Sequence, residues 1–231
     1  MNLLLVAPQA GGGSIVSALL GQNPESVVIP DFYATGGSKA NLPPVIPKMH
    51  RLALRLTVHG HEPLSNYVPQ AAKLISADRI MYVIRNPYCW FVSLRSKRWA
   101  GEYENKLSLL SHHVKSVDPE DVIFYEDLVF RPRTIMAQLS FWPVDLRDFT
   151  LRRDMGNILT MVRQNIEWFG KNKGWGGGEA RLGRGINSCP LFKAILPMDK
   201  RRVVELAPDL LALYFKARPE YAAMSVDRTE F

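Results

Sequence analysis

Short apolar runs recur along the chain at Leu3–Val6, Leu52–Val58, Ile80–Ile84 and Val122–Tyr125. Runs of this length, bounded by proline, glycine, asparagine or charged residues, predict buried strands. Between them the apolar positions take helical spacing over Ser14–Leu20, Tyr67–Ile75, Pro87–Trp99, Lys106–Val114 and Thr134–Phe141. Strands alternating with helices predict an α/β fold, a parallel β-sheet flanked by helices on both faces. Further on, Asn157–Phe169 and Asp199–Lys216 have helical spacing, the latter kinked or restarted at Pro208. Gly170–Asn187 reads as a glycine-rich basic loop. Asn23–Pro47 carries Pro24, Pro30, Pro43, Pro44 and Pro47 with Gly36 and Gly37, and predicts a long irregular excursion off the sheet. No repeat or linker divides the chain, so a single domain over residues 1–231 is expected.

The first junction, "VAPQAGGGSIV" (residues 6–16), has the order strand, glycine loop, helix. That order aims backbone N–H groups at phosphate. The nucleotide-binding pattern G-x-x-x-x-G-K-[ST], laid over Ala7–Ser14, finds Ala7 at its first glycine and Gly13 where lysine belongs. The loop has the backbone of a phosphate cradle without its charge.

A second anion feature lies in "RIMYVIRNPYCWFVSLRS", Arg79–Ser96. Arg85 stands at the C-terminal end of a predicted strand, where open α/β sheets bind ligands. Asn86 suits a helix N-cap and Pro87 the first helical position, so the N–H groups of the following helix are expected to face the same edge. Ser93, eight residues beyond Arg85, falls in the second turn. Arginine, serine and a helix start together make a phosphate pocket. Taken alone, the same residues also fit a helix cap with a surface arginine.

The Arg85…Ser93 spacing within "VIRNPYCWFVS" resembles the 3′-phosphate motif of sulfotransferases that use 3′-phosphoadenosine 5′-phosphosulfate (PAPS). "VIFYEDLVFRP", Val122–Pro132, is similar to the strand and Tyr-Glu-Asp-Leu segment that follows in that fold. "APQAGGGSIVSALLGQNP" stands where the family has its 5′-phosphosulfate loop. The three segments keep the family's order over about residues 2–141.

The resemblance implies a P-loop NTPase-like sulfotransferase architecture, PAPS as donor, 3′,5′-adenosine bisphosphate (PAP) as product, and no metal. It implies that Arg85 and Ser93 hold the 3′-phosphate and that Gln9, Gly11, Gly12, Gly13 and Ser14 wrap the 5′ end. Tyr125 would lie near the adenine, with a core tyrosine as the equal alternative. Glu126 and Asp127 are read as complements to the next helix dipole and given no chemistry. Arg181 and Arg184 in the basic loop would close over the 3′-phosphate, or belong to a solvated loop.

The family usually has lysine or arginine after the loop proline, where this chain has Gln9. An amide donates a hydrogen bond but carries no full charge. Losing one such donor typically lowers a rate a hundred- to a thousandfold, about 3–4 kcal/mol. Lys48, Arg51 and Arg55 are candidates to replace that charge. Sulfuryl transfer also needs a base for the acceptor proton. "LRLTVHGHEPL" (54–64) supplies His61, His59 and Glu62, in that order of preference; the histidines precede Arg85 by 24 and 26 residues. Trp168 and Trp175 flank the basic loop as stacking surfaces or, for Trp168, as core.

Composition narrows the classes. At 231 residues and 47% hydrophobic content the chain can bury a sizeable core. Cys89 and Cys189 are too few for a zinc site or disulfide framework and predict buried thiols in a reducing compartment. The leading apolar run is too short for a signal peptide or a membrane span, so a soluble, cytoplasmic protein is expected, with no membrane partner. The net charge of +7 suits anionic partners, or solubility alone. Its basic residues are scattered and form no recognised nucleic-acid motif, so no nucleic-acid partner is expected.

The leading expectation is therefore transfer of a sulfuryl group to a hydroxyl or amine of a small molecule or carbohydrate. The alternatives are a catalytically weakened nucleotide-binding protein of the same fold and a P-loop nucleotide kinase. The kinase would need the lysine that this loop lacks.

Overall fold

The computed structural model describes residues 1–21, 23, 25–32, 51–58, 64–95, 103–144 and 195–222. Five strands form one parallel sheet: β1 (Asn2–Pro8), β2 (Ser26–Phe32), β3 (Arg51–Val58), β4 (Arg79–Ile84) and β5 (Val122–Phe124). Their spatial order is β2-β3-β1-β4-β5. The described helices are α1 (Gly13–Leu20), α2 (Leu64–Ile75), α3 (Pro87–Arg95), α4 (Tyr103–Val114), α5 (Asp127–Phe130), α6 (Pro132–Gln138), α7 (Pro197–Leu206) and α8 (Pro208–Ala217).

Alternation along the strands builds two cores from one sheet. Leu4, Val6, Leu54, Leu56, Tyr82, Ile84 and Phe124 face one side and pack with α2, α3, α4, α7 and α8. Leu3, Leu5, Ala7, Ala53, Met81, Val83 and Ile123 face the other and pack with α1 and α6. A sheet covered on both faces needs apolar residues at successive positions, which is why the strands read as unbroken runs.

The α/β expectation therefore holds, with one strand added. Ser26–Phe32 lies inside the segment expected to be irregular, yet its backbone pairs with β3. The strand tolerates Pro30 because, among the described strands, β2 stands at the edge with β3 as its single neighbour, and the register shifts between Ile29 and Phe32. The C-terminal helical pattern restarts at Pro208: α7 ends at Leu206 and α8 begins with the proline at its first position. Cys89 is buried. Asn157–Phe169, Gly170–Asn187 and Cys189 lie outside the described residues.

The topology brings distant segments to one edge. Strand β1 sits between β3 and β4, with Pro8 opposite Val58 and Val6 opposite Tyr82. The loop after β1 therefore lies beside the residues that follow β4. In open parallel sheets this crevice, where successive connections diverge, is where ligands bind.

Candidate functional site

The loop after β1 begins with a tight turn closed by the Gly11 N–H on the Pro8 carbonyl at 2.9 Å. Ala10 takes φ 64° in that turn, a left-handed conformation that disfavours a Cβ by about 1–2 kcal/mol. Gly12 then caps α1 at φ 96°, with no side-chain cap bond. No acidic residue occupies the first helical turn. The positive end of α1 is thus left without a carboxylate of its own, as an anion site requires. A Cβ on Gly13 would sit 2.4 Å from Ala7 Cβ and 3.0 Å from Arg55 Cδ, so its hydrogen is what lets the loop close on β1 and β3.

Across the crevice, the Arg85 guanidinium donates to Ser93 Oγ at 3.2 Å. Arg85 is 8% exposed and Ser93 5%. The eight-residue spacing works because Arg85 directly follows β4 and Ser93 stands two turns into α3, where its hydroxyl turns back to the strand end. The Tyr125 ring lies under the guanidinium, 5.1 Å from Arg85 Cζ to the ring centroid. The same buried ring packs on Gly12. Tyr125 is therefore the wedge between the glycine loop and the arginine.

The start of α3 differs from expectation. Asn86 Oδ1 accepts from the N–H groups of Tyr88 and Cys89 at 3.1 and 3.3 Å, and its carbonyl accepts from Trp90 N–H. Asn86 is the N-cap, as its residue type predicts, but as cap it takes donors expected to face a phosphate. The groups at this strand end that could meet an anion are therefore the side chains of Arg85 and Ser93 rather than the helix N–H groups.

Gln9 is held twice from the same flank. Trp90 Nε1, on α3, donates to the Gln9 carbonyl at 2.8 Å, and Lys106 Nζ, on α4, donates to Gln9 Oε1 at 2.8 Å. Lys106 is only 2% exposed. It belongs to the stripe Tyr103, Lys106, Leu107, Leu110, Ser111, Val114, which has the spacing of a buried helix face. A lysine in such a stripe is the sequence signal for this contact, although its partner Gln9 lies 97 residues away.

Of the expected replacement cations, Arg55 is buried beside Gly13. Arg51 is a correction. It begins β3 at the opposite edge of the sheet and pairs with Glu25 at 3.1 Å. Parallel pairing carries the start of β3 away from the loop after β1. Ser14 is the second residue of α1. His59, His61, Glu62, Lys48, Arg181, Arg184, Trp168 and Trp175 lie outside the described residues; β3 ends at Val58, immediately before His59.

Glu126 and Asp127 do more than complement a helix dipole. Both are fully buried. Glu126 accepts from Asn86 N–H at 3.0 Å and from Tyr214 Oη at 2.7 Å. Asp127 accepts from Tyr221 Oη at 2.7 Å and from Arg218 Nε at 2.7 Å. The two acids tie α8 and the turn after it to the strand ends that frame the crevice.

Burial pushes the Glu126 carboxyl up to about 7, against the opposing pull of its hydrogen bonds and of Arg85. A carboxyl whose native value is raised favours the fold at low pH. Between about pH 4.5 and 7 the unfolded chain releases this proton while the native state keeps it, so stability falls with rising pH. The contribution is on the order of 3 kcal/mol across that window. Glu126→Gln is expected to flatten this slope. Melting temperature against pH for both proteins checks it, and parallel curves would refute the assignment.

The fold is an open parallel sheet with helices on both faces and a crevice at the strand ends beside β1. No protein-family model matches the chain, and no curated protein matches it. Among solved structures it is similar to mouse sulfotransferase SULT7A1 complexed with PAP, with a TM-score of 0.53 and 15% sequence identity, covering 96% of this chain and 88% of that one. The sheet with its flanking helices thus has the sulfotransferase fold. Among the described residues no helix is long and apolar enough to cross a membrane, and no cluster of three or more metal-ligating side chains occurs.

Proposed function

We propose that the chain is a single-domain PAPS-dependent sulfotransferase acting on a hydroxyl or amine of a small molecule or carbohydrate. The observation that carries this reading is the Arg85–Ser93 pair, joined through Tyr125 to a glycine loop at the ends of adjacent parallel strands. A guanidinium and a hydroxyl suit a phosphate monoester, and a glycine loop with an acid-free helix start suits a second anion. A molecule with phosphate groups at both ends of an adenosine fits that pairing. The likeness to a PAP-bound sulfotransferase supports it.

In this reading Arg85 and Ser93 hold the 3′-phosphate, and Gln9, Gly11, Gly12, Gly13 and Ser14 hold the 5′ end. Arg181 and Arg184 close over the nucleotide, and Tyr125 backs the adenine side. The acceptor oxygen or nitrogen forms a bond to sulfur as the bond from sulfur to the bridging phosphate oxygen breaks. The electron pair leaves on that oxygen, and the acceptor proton passes to His61, His59 or Glu62.

The test compares thermal stabilisation by PAP, ATP and GTP. A ligand at 100 times its dissociation constant adds about 2.7 kcal/mol. At about 2–4 °C per kcal/mol for a chain of this size, PAP is expected to raise the melting point by about 5–10 °C. Stabilisation by ATP alone, with dependence on Mg²⁺, would overturn the reading in favour of a nucleotide kinase. The three base candidates separate by single removal: the base is the one whose loss lowers PAPS turnover while PAP binding persists.

Gln9 favours one further reading, a nucleotide-binding protein with weakened turnover, because the residue after the loop proline is neutral. PAP binding without transfer to any of a panel of acceptors would select it.

A further inference from the structure

Gln9 is neutral, but its amide is not free to choose how it faces the loop. A lysine ammonium has donors only, so a carboxamide bonded to it must turn its oxygen toward the nitrogen. With Oε1 held by Lys106 at 2.8 Å, the Nε2 group and its two donors become the part of Gln9 left for a ligand. Trp90 fixes the other end of the residue by holding its carbonyl. Lys106 itself is buried in the packed stripe of α4, whereas Gln9, in the loop after β1, is half-buried.

We propose that Lys106 is a positioning residue for the 5′-anion subsite: it acts through Gln9, setting the amide as a donor and placing a positive charge one hydrogen bond behind it. This rests on the sulfotransferase reading above and adds to it the source of charge at the loop. A cation from α4 thereby does part of the work of a basic residue in the loop itself. During transfer, negative charge that gathers on the oxygen leaving sulfur meets the Nε2 donors of Gln9, which Lys106 polarises. A free glutamine would spend part of its time with oxygen facing the anion, and the lysine removes that repulsive arrangement.

The experiment is isothermal titration of the full chain with PAP and with adenosine 3′-monophosphate, which lacks the 5′-phosphate. The wild type is expected to bind PAP more tightly than the monophosphate. Lys106→Met is expected to lower PAP affinity about tenfold, the size of one charge-assisted contact, and to leave 3′-monophosphate affinity within twofold. Gln9→Leu breaks the same contact from the half-buried side and is expected to match it. The double variant should lose no more than either single one, because both remove one unit. Gln9→Lys in the Lys106→Met background is expected to restore PAP affinity.

Equal losses for both nucleotides would assign Lys106 a merely structural role and overturn the proposal. So would PAP affinity unchanged in both Lys106→Met and Gln9→Leu. Should Lys106→Met fail to fold, Gln9→Leu alone decides by the same comparison. A wild type that binds neither nucleotide refutes the sulfotransferase reading and this inference with it. A wild type that binds PAP, with variants that bind both nucleotides as the wild type does or lose both equally, refutes the inference alone.

Discussion

Gly12→Ala is expected to lower stability by about 3 kcal/mol or more, the sum of a left-handed backbone penalty and an overpacked contact. Gly12 has φ 96°, which disfavours any Cβ. The added atom would also lie 2.2 and 2.5 Å from Cδ2 and Cε2 of Tyr125. Relief by rotation of that ring is blocked, since the ring is buried and carries the Arg85 guanidinium on its face. Either the loop or the arginine must move, so the same substitution should also weaken any anion held between them. At about 2–4 °C per kcal/mol, thermal melting should show a drop near 10 °C. Pairing it with Tyr125→Ala should remove the contact and keep the backbone penalty, giving a clear coupling energy. A melting point within 2 °C of wild type would show that the loop relaxes without loss.

Arg85→Met carries the second large effect. It keeps an apolar stem against Tyr125 and removes the guanidinium that reaches Ser93. Under the proposed function PAP affinity should fall about 100-fold, about 2.8 kcal/mol, as expected for losing charge-assisted contacts to a phosphate. Affinity for adenosine 5′-monophosphate should change little, because the 5′ end is held across the crevice by the glycine loop. Arg85→Lys should recover only part of the loss, since an ammonium cannot reproduce the planar fork of the guanidinium. Titration with the two nucleotides measures all of this, and PAP affinity within threefold of wild type in Arg85→Met would remove Arg85 from the site. Under the proposed function the pair of titrations separates the two ends, with Arg85 expected to affect the 3′ end and Lys106 and Gln9 the 5′ end.

Much of the fold was legible because it depends on local pattern. Buried parallel strands need unbroken apolar runs, so Leu3–Val6, Ile80–Ile84 and Val122–Tyr125 lie in or next to strands. Proline at a first helical position was equally readable at Pro87 and Pro208. Strand β2 was not, because Pro30 is a strand breaker except at an edge, and edge position is a property of the assembled sheet. Asn86 was recognised as a cap, but the effect of capping on its helix's donors required the hydrogen bonds themselves.

The sequence by itself determined the alternation of strands and helices, the glycine loop after β1 and the eight-residue link from Arg85 to Ser93. Each follows from spacing along a short segment, where strand and helix geometry leave few choices. Only the tertiary structure decided what stands beside the loop. Gln9 meets Trp90 and Lys106 across 81 and 97 residues, and Glu126 meets Tyr214 across 88. Those contacts exist because β1 lies between β3 and β4, which sets α3 and α4 against its end, and because α8 packs on the same face. Local periodicity marks a residue as buried, but the sheet order selects its partner.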